Sequence, residues 1–314
     1  MTHIQYSIIV PVYNNEQMIS ALVERLNHLS RELESGLQVI FVVDGSPDLS
    51  YQELKTHMQH RLFAAEIIRL SRNFGSYNAI RMGLHAATGQ YFAIMAADLQ
   101  EPPELCIQFF EMLRSGEVDI VIGQRIGRDD PLSSRILSAF FWASYRRLVQ
   151  EDMPKGGMDV FGCTMQVRDK LLQMEEANSS LVGLVVWLGF RRKDIPYVRL
   201  KRPSGNSGWG FAEKIRYMLD SIFSFTDLPI TLLLIIGALG SVLSFAYGTF
   251  VLAMRLLGYI PLAGYTPIIL CITFSTSLIL VGLGIVGMYV WRTLENTKHR
   301  PLFVPMTREY FSYE

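Results

Sequence analysis

The chain has 314 residues, a formal net charge of zero, and a hydrophobic fraction of 50%. The neutral charge argues against nucleic acid as a partner, and three cysteines without a CxxC pair argue against a zinc site or a disulfide framework. The mean hydropathy of +0.23 is high for a wholly soluble protein and predicts that part of the chain lies in a membrane.

The first 125 residues alternate between short β-rich runs and helix-length stretches. The runs are 6–12, 37–43, 65–70, 91–97 and 118–123, and the helical stretches are 16–34, 49–60, 75–87 and 103–115. This alternation predicts a mostly parallel, Rossmann-like α/β sheet with helices on both faces. Ligands bind at the carboxyl ends of such strands. Polar residues follow those ends at Tyr13, Asn14, Asp44, Asp98 and Arg125.

Residues 126–208 have a mixed pattern. The segment 130–149 has the apolar spacing of an amphipathic helix, 156–169 is a glycine-rich entry into a strand, and 190–209 is a basic strand that runs into a loop. The N-terminus lacks the basic region and the long apolar region of a signal peptide. We therefore expect residues 1–208 to form one cytoplasmic domain.

Two long segments near the C-terminus contain no charged residue. They are 229–254 and 266–291, and each exceeds the roughly 20 apolar residues that cross a bilayer. The alternative, a pair of buried core helices, is disfavoured by their length. The sequence therefore predicts two transmembrane helices within a membrane domain, 229–314, that ends in a short cytoplasmic tail.

The basic residues flanking these segments indicate their orientation. Positive charges are frequent before the first segment and follow the second at Arg292, Lys298 and Arg300, whereas the turn between the segments carries only Arg255. Since positive residues favour the cytoplasmic side, both termini are expected inside the cell. Apolar residues at helical spacing in 209–228 favour an amphipathic helix in the membrane interface, although packing on the first domain is an open alternative.

The run 91–97 ends at an acid, Asp98, and Gln100 follows two residues later. Mg²⁺ and Mn²⁺ prefer oxygen ligands and usually share them with substrate phosphates, so this pair is a candidate metal site. Each candidate has an ordinary structural alternative. Aspartate is frequent in turns, Asn14 has the side chain of a helix cap, and Asp44 belongs to a segment that fits an ordinary turn.

Several segments together resemble the family 2 inverting glycosyltransferases of GT-A fold. They are "SIIVPVYNNE", "VVDGSPD", "LSRNFGSYNAIRMGLHAATG", "AADLQEPPE", "GQR" and "PSGNSGW". With the paired C-terminal spans, the chain is most similar to the membrane-attached polyprenyl-phosphate group, which includes dolichol-phosphate mannose synthases and bactoprenol glucosyl transferases. The resemblance implies a nucleotide-sugar donor, Mg²⁺ or Mn²⁺, undecaprenyl phosphate as acceptor, a bacterial inner-membrane location and a homo-oligomer such as a tetramer.

The resemblance also implies roles for individual residues. Those expected at the donor are Pro11, Tyr13, Asn14, Glu16, Asp44, Ala97 and Asp98. Those expected at the metal are Asp98 and Gln100, and those expected at the acceptor or its phosphate are Arg125, Arg135, Arg202, Ser207 and Trp209. The residues expected at the reacting centre are Asp98, Asp159 and Arg125.

Two positions depart from the family pattern. Ala96 stands where the family usually has the first acid of DADLQ, and Gly208 stands where it usually has a lysine. The leading interpretation is transfer of a sugar to polyprenyl phosphate for cell-envelope glycan or O-antigen modification, with a UDP-linked donor implied by the resemblance. The alternatives are transfer to a polysaccharide or a diphosphate-linked lipid, and a weakened or non-catalytic relative that acts as a membrane scaffold.

Overall fold

The computed structural model of the protein describes most of the sheet domain and two long C-terminal helices. The described residues are 4–33, 36–126, 146–147, 153–154, 158, 160–176, 180–200, 222, 226, 228–257 and 265–312.

The described part of the chain forms one eight-stranded sheet. Its strands are β1 (Ile4–Val12), β2 (Gly36–Val43), β3 (Ala64–Leu70), β4 (Tyr91–Ile94), β5 (Ile120–Arg125), β6 (Phe161–Thr164), β7 (Arg192–Tyr197) and β8 (Pro305–Phe311). The spatial order is β7-β5-β6-β4-β1-β2-β3-β8. Strands β6 and β8 are antiparallel to their neighbours, and the other pairs are parallel. The predicted mostly parallel sheet is confirmed.

Helices cover both faces of the sheet. They are α1 (Ile19–Glu32), α2 (Ser50–His57), α3 (Ser76–Ala86), α4 (Leu105–Arg114), α5 (Met165–Leu172) and α6 (Leu181–Trp187). Helices α1, α2 and α4 pack on one face, and α3, α5 and α6 pack on the other. Successive side chains of β1 point to opposite faces of the sheet. Ile8 and Val10 pack in the core beneath α1, α2 and α4, and Ile9 packs in the core beneath α3, α5 and α6.

Strand β4 ends earlier than the sequence predicts. Its ladder stops at Ile94, although the apolar run continues to Ala97. The amide of Met95 still donates to the carbonyl of Ile9 at 3.0 Å, and beyond it the chain turns, with Leu99 in the left-handed region at φ 53°. The turn brings Asp98 to the edge of the sheet instead of continuing the strand.

Strand β8 adds the C-terminal segment to the edge of the sheet beside β3. Its register pairs Leu70 with Pro305 and Ala65 with Phe311. The Glu66 carboxylate, 1% exposed, accepts from Arg308 at 2.7 and 2.8 Å. This strand was not predicted, and it returns the chain to the sheet domain after the last long helix.

Two long apolar helices precede β8. They are α7 (Leu228–Leu256) and α8 (Tyr265–Thr297). Within the described residues, Phe274–Thr297 is long and apolar enough to cross a membrane. The apolar stretch found at the start of α7, Leu228–Gly240, is shorter. A Cβ on Gly282 would approach Leu233 Cδ1 to 3.3 Å, so the two helices touch there. The second membrane span remains a prediction, and the expected interfacial helix over 209–228 lies almost wholly outside the described residues.

Candidate active site

The carboxyl ends of the central strands meet at one edge of the sheet. Val43 is opposite Val12 on one side and Arg69 on the other, so β1, β2 and β3 end together. Ile94 is level with Ile9, so the segment leading to Asp98 begins beside β1. Tyr13, Asn14, Asp44, Asp98 and Arg125 therefore share this edge.

The loop that follows β1 is tied to the loop that follows β2. Asn14, with φ 54°, donates its amide to the Ser46 hydroxyl at 2.8 Å. The Glu16 carboxylate accepts from the amide of Leu49 at 2.9 Å. Tyr13 is 44% exposed beside these contacts, so its side chain is accessible to a ligand.

Asp48 links the loop that follows β1 to the loop that follows β2, although it was not among the predicted site residues. Its carboxylate accepts from the amide of Glu16 at 3.0 Å and from the hydroxyls of Ser46 and Ser50. Partial burial favours the neutral form of Asp48, but these hydrogen bonds outweigh burial and lower its pKa. The sequence signal for this role is an acid flanked by serines just before a predicted helix.

Asp44 is buried and holds the loop after β3. It is 3% exposed, and its two oxygens accept from the amides of Phe74 at 2.7 Å and Gly75 at 2.9 Å. Burial raises the pKa of Asp44, and the two amides and the charge of Arg72 offset only part of that rise. The motif "RNFG" is thus anchored to the end of β2. A role of Asp44 at the donor base stays a prediction.

Gly45 allows the same two loops to approach each other. It has φ 59°, and a Cβ at this position would lie 2.3 Å from the backbone carbon of Arg72. No side chain fits against backbone at that distance, so the glycine after Asp44 is required by packing as well as by its dihedral angle.

Replacing Asp44 with asparagine is expected to destabilise the protein by about 1–3 kcal/mol, because its NH₂ group would face a part-buried backbone N–H that now has an acceptor. Thermal and denaturant unfolding of the detergent-purified protein would measure the loss. Glu111→Gln, an exposed change on α4, is the matched control. Equal stability of the Asp44 and Glu111 variants would contradict the anchoring role.

Asp98 and Gln100 lie on the same turn but have different surroundings. Asp98 is 7% exposed, and its Oδ1 accepts from the amide of Gln100 at 3.3 Å. The Gln100 side-chain oxygen accepts from the Arg199 guanidinium at 2.8 Å, and its amide group donates to the Leu200 carbonyl at 3.4 Å. Arg199 also lies 3.7 Å from the buried carboxylate of Glu101. Gln100 therefore joins the end of β4 to the segment that follows β7.

These contacts bear on the predicted metal site. The Asp98 carboxylate suits Mg²⁺ or Mn²⁺, which often take one or two protein carboxylates and complete their shell with phosphate oxygens and water. The Gln100 oxygen fits less well in this arrangement, because a guanidinium already occupies it and would repel a divalent ion. Within the described ranges there is no group of three or more His, Cys, Asp or Glu side chains that could hold an ion alone. The metal-ligand prediction stays a prediction, and the geometry favours Asp98.

Arg125 ends β5 at the same edge, half-buried and level with Tyr197 of β7. Pro11 and Ala97 contribute backbone beside this region, Pro11 within β1 and Ala97 buried just before Asp98. The remaining predicted site residues lie outside the described residues: Arg135, Asp159, Arg202, Ser207 and Trp209. Arg199 was missed as a site residue, since it was counted only among the basic residues that indicate membrane orientation.

Comparisons with known proteins agree on the family. Residues 7–173 match the family model described as glycosyl transferase family 2. An uncharacterized glycosyltransferase of Bacillus subtilis, YkcC, is 31% identical over 96% of this chain and 93% of its own length. The bactoprenol glucosyl transferase of Shigella phage SfV is 25% identical over 95% of this chain and 97% of its own length.

Solved structures give weaker similarity. The mannosyltransferase PcManGT from Pyrobaculum calidifontis, in complex with GDP-Man and Mn²⁺, aligns with a TM-score of 0.47 and 16% identity over 90% of this chain and 86% of that one. The sequence matches are sufficient without it, because the family model spans more than half of the chain and the relatives align along nearly all of it. The chain is a glycosyltransferase with a mostly parallel α/β sheet, and it belongs to glycosyl transferase family 2.

Proposed function

We propose that this glycosyltransferase moves a sugar, with inversion at the anomeric carbon, from a nucleotide-sugar donor to a polyprenyl phosphate in the cytoplasmic leaflet of a bacterial plasma membrane. A UDP-linked donor and undecaprenyl phosphate are the expected substrates. The full-length similarity to bactoprenol glucosyl transferases supports this acceptor class.

The main structural support is the proximity of the candidate site to the end of α8. Strand β8 begins at Pro305 opposite Leu70, at the carboxyl end of β3, where the amide of Ser71 donates to the Val304 carbonyl at 3.0 Å. Residues 298–304 connect α8 to this point and reach no more than about 30 Å when extended. The edge that carries Asp44 and Asp98 is therefore on the side of the sheet that the long apolar helix approaches.

The return of β8 also constrains the path through a membrane. The sheet domain precedes α7 and β8 follows α8, yet β8 pairs with β3 of that domain. Both ends of the helical pair are thus on one side, so the chain crosses a bilayer an even number of times if it crosses at all. If α8 spans the membrane, then α7 must also span it, which supports the predicted two-span topology.

The surfaces of α7 and α8 fit lipid better than water. Large apolar side chains along them are mostly exposed, for example Leu234 at 67%, Phe274 at 71% and Leu283 at 63%. Apolar surface on this scale marks a membrane or protein contact. The basic residues Arg292, Lys298 and Arg300 at the end of α8 favour a cytoplasmic position for the sheet domain. A homo-oligomer such as a tetramer stays a prediction from the family resemblance.

The chemistry suits a phosphate acceptor. A phosphate monoester is already ionised near neutral pH, so its oxygen needs little help from a general base. That oxygen attacks the anomeric carbon, the new C–O bond forms, and the bond to the donor diphosphate breaks on the opposite face. The electron pair leaves with the nucleoside diphosphate. Rate enhancement then comes mainly from positioning and from stabilising charge.

Residues at the sheet edge have roles that follow from their positions. Tyr13 offers an exposed aromatic side chain to the donor base. Asp44 holds the loop that follows β3. Arg125 is suited to a phosphate group because a guanidinium binds two oxygens at once. Asp98 would hold Mg²⁺ or Mn²⁺, which would offset charge on the leaving diphosphate when bound.

The test is transfer of radiolabelled sugar from a panel of nucleotide sugars into organic-extractable lipid, with undecaprenyl phosphate and Mn²⁺ supplied to the purified full-length protein. We expect one donor to label the lipid, with product that depends on the added acceptor. Donor binding without transfer would favour the scaffold alternative. Label in a water-soluble polymer or on a diphosphate-linked lipid would favour the other transferase alternatives, and each of these results would overturn the proposal.

A further inference from the structure

A pocket lies between α3 and the connector from α8 to β8, and neither Asp44 nor Asp98 lines it. Its volume is about 360 Å³, and it is lined by α3, by the end of α5 and Glu175 after it, and by the end of α8 with the connector that leads to β8. Its charged and ionisable lining residues are Arg81, His85, Glu175, Glu295, His299 and Arg300. The connector thus closes a cavity against the sheet domain before it enters the sheet.

Arg81 is the most unusual residue of this pocket. It is 5% exposed, and its guanidinium makes no hydrogen bond or ion pair with any residue in the described part of the chain. The carboxylates of Glu175 and Glu176 influence it through charge, but neither forms an ion pair with it. A guanidinium has five donors, and withdrawing such a group from most of its water without acceptors is unfavourable. A ligand that supplies acceptor oxygens would remove that cost.

The other charges leave the pocket suited to an anion. Arg300 adds a second positive charge to that of Arg81, and His85 and His299 add ring nitrogens that can donate, while the Glu295 carboxylate is already paired with Lys298. Glu175 is exposed at the rim. His85 is packed edge-on against Phe303, with ring centroids 6.5 Å apart, which joins α3 to the connector. Basic groups from both sides of the pocket therefore face the same space.

We propose that this pocket binds a phosphate group, with the headgroup of an anionic phospholipid as the expected source. Guanidinium groups recognise phosphate through paired hydrogen bonds. The connector follows directly on α8, the helix that is long and apolar enough to cross a membrane, so the pocket is close to headgroup level. Bound phosphate would hold the connector against α3 and so orient the sheet domain on the membrane. The inference that the phosphate belongs to a lipid rests on the proposed membrane function, whereas phosphate binding itself does not require sugar transfer.

The experiment compares wild-type full-length protein with Arg81→Gln, using Arg114→Gln at the exposed end of α4 as the matched control. Thermal unfolding is measured in nanodiscs of phosphatidylcholine with and without phosphatidylglycerol, and in detergent with and without inorganic phosphate. Apparent affinity is taken from the dependence of the midpoint on ligand. We expect phosphatidylglycerol to stabilise the wild type and the Arg114 variant, and to bind the Arg81 variant roughly 10- to 100-fold more weakly, since a charge-assisted contact is lost.

A connector variant, Arg300→Gln, keeps the test valid if Arg81→Gln does not fold. Arg300 is exposed, so its replacement should leave the core intact while weakening the same binding. Stabilisation by inorganic phosphate without an effect of phosphatidylglycerol would assign the pocket to a soluble phosphate compound and would overturn the lipid source. The site would be overturned if neither ligand stabilised the wild type. It would also be overturned if each ligand stabilised the wild type and both pocket variants equally. Sugar transfer measured in parallel separates this outcome from failure of the proposed reaction.

Discussion

Replacing Asp98 with asparagine is expected to lower the rate of sugar transfer to lipid phosphate by about 10²- to 10³-fold, the scale typical of losing one group that stabilises developing charge. Asparagine has nearly the same shape and can still accept from the Gln100 amide, so the turn after β4 should persist. The lost property is the negative charge, which Asp98 contributes at the point where a cation and a diphosphate would meet.

The measurement is radiolabel transfer to undecaprenyl phosphate at saturating donor, together with thermal unfolding. Asp169→Asn, on the exposed face of α5, serves as the control and should behave as the wild type. Because Asp98 is buried, the transfer rates are compared between proteins whose unfolding midpoints agree. Undiminished transfer by a folded Asp98→Asn protein would remove this carboxylate from the mechanism.

Replacing Arg308 with alanine is expected to destabilise the sheet domain by about 2–4 kcal/mol. The change leaves the Glu66 carboxylate, 1% exposed, without the guanidinium that now contacts it at 2.7 Å. Breaking a fully buried pair typically costs about 3–5 kcal/mol, and we expect less here because the Arg308 side chain is 36% exposed and screened by water. Denaturant unfolding with a fluorescence probe would measure the change.

The double variant Glu66→Met, Arg308→Met distinguishes the charge from the strand. Removing both charges together should recover most of the stability, because no buried carboxylate is left without a partner. Met306→Ala, an exposed change on the same strand, is the control. If Arg308→Ala is no more harmful than Met306→Ala, then β8 does not depend on this ion pair. Increased proteolysis of the connector in Arg308→Ala would show that the strand has detached.

Features that depend on local patterns were predictable. Alternating short apolar runs and helical stretches predicted β1 to β5 and α1 to α4, because strand and helix periods appear directly in neighbouring residues. The carboxyl-edge rule then brought Tyr13, Asn14, Asp44 and Asp98 to one place. The apolar segments of α7 and α8 were equally visible in composition, since uncharged segments of this length are typical of membrane-spanning helices.

Features that depend on distant partners were not predictable. The segment Pro305–Phe311 was assigned to a short tail, and its pairing with β3 rests on contacts such as Glu66 with Arg308, which no local period encodes. Asp44 was selected as a polar strand end, but its partners in "RNFG" follow from the close approach of two loops. Gln100 was expected at a metal, and its neighbour Arg199 comes from the segment after β7.

The amino-acid pattern alone thus established the alternating architecture, the polar edge of the sheet and the apolar helices, because each follows from residues close together in the chain. The folded arrangement was needed to reveal what those elements touch: the return of β8, the Arg199 contact with Gln100, and the pocket around Arg81. Hydrogen bonds and charge pairs between remote segments form only when the strands of the sheet have assembled. Their partners are therefore selected by packing and not by the local periodicity of the sequence.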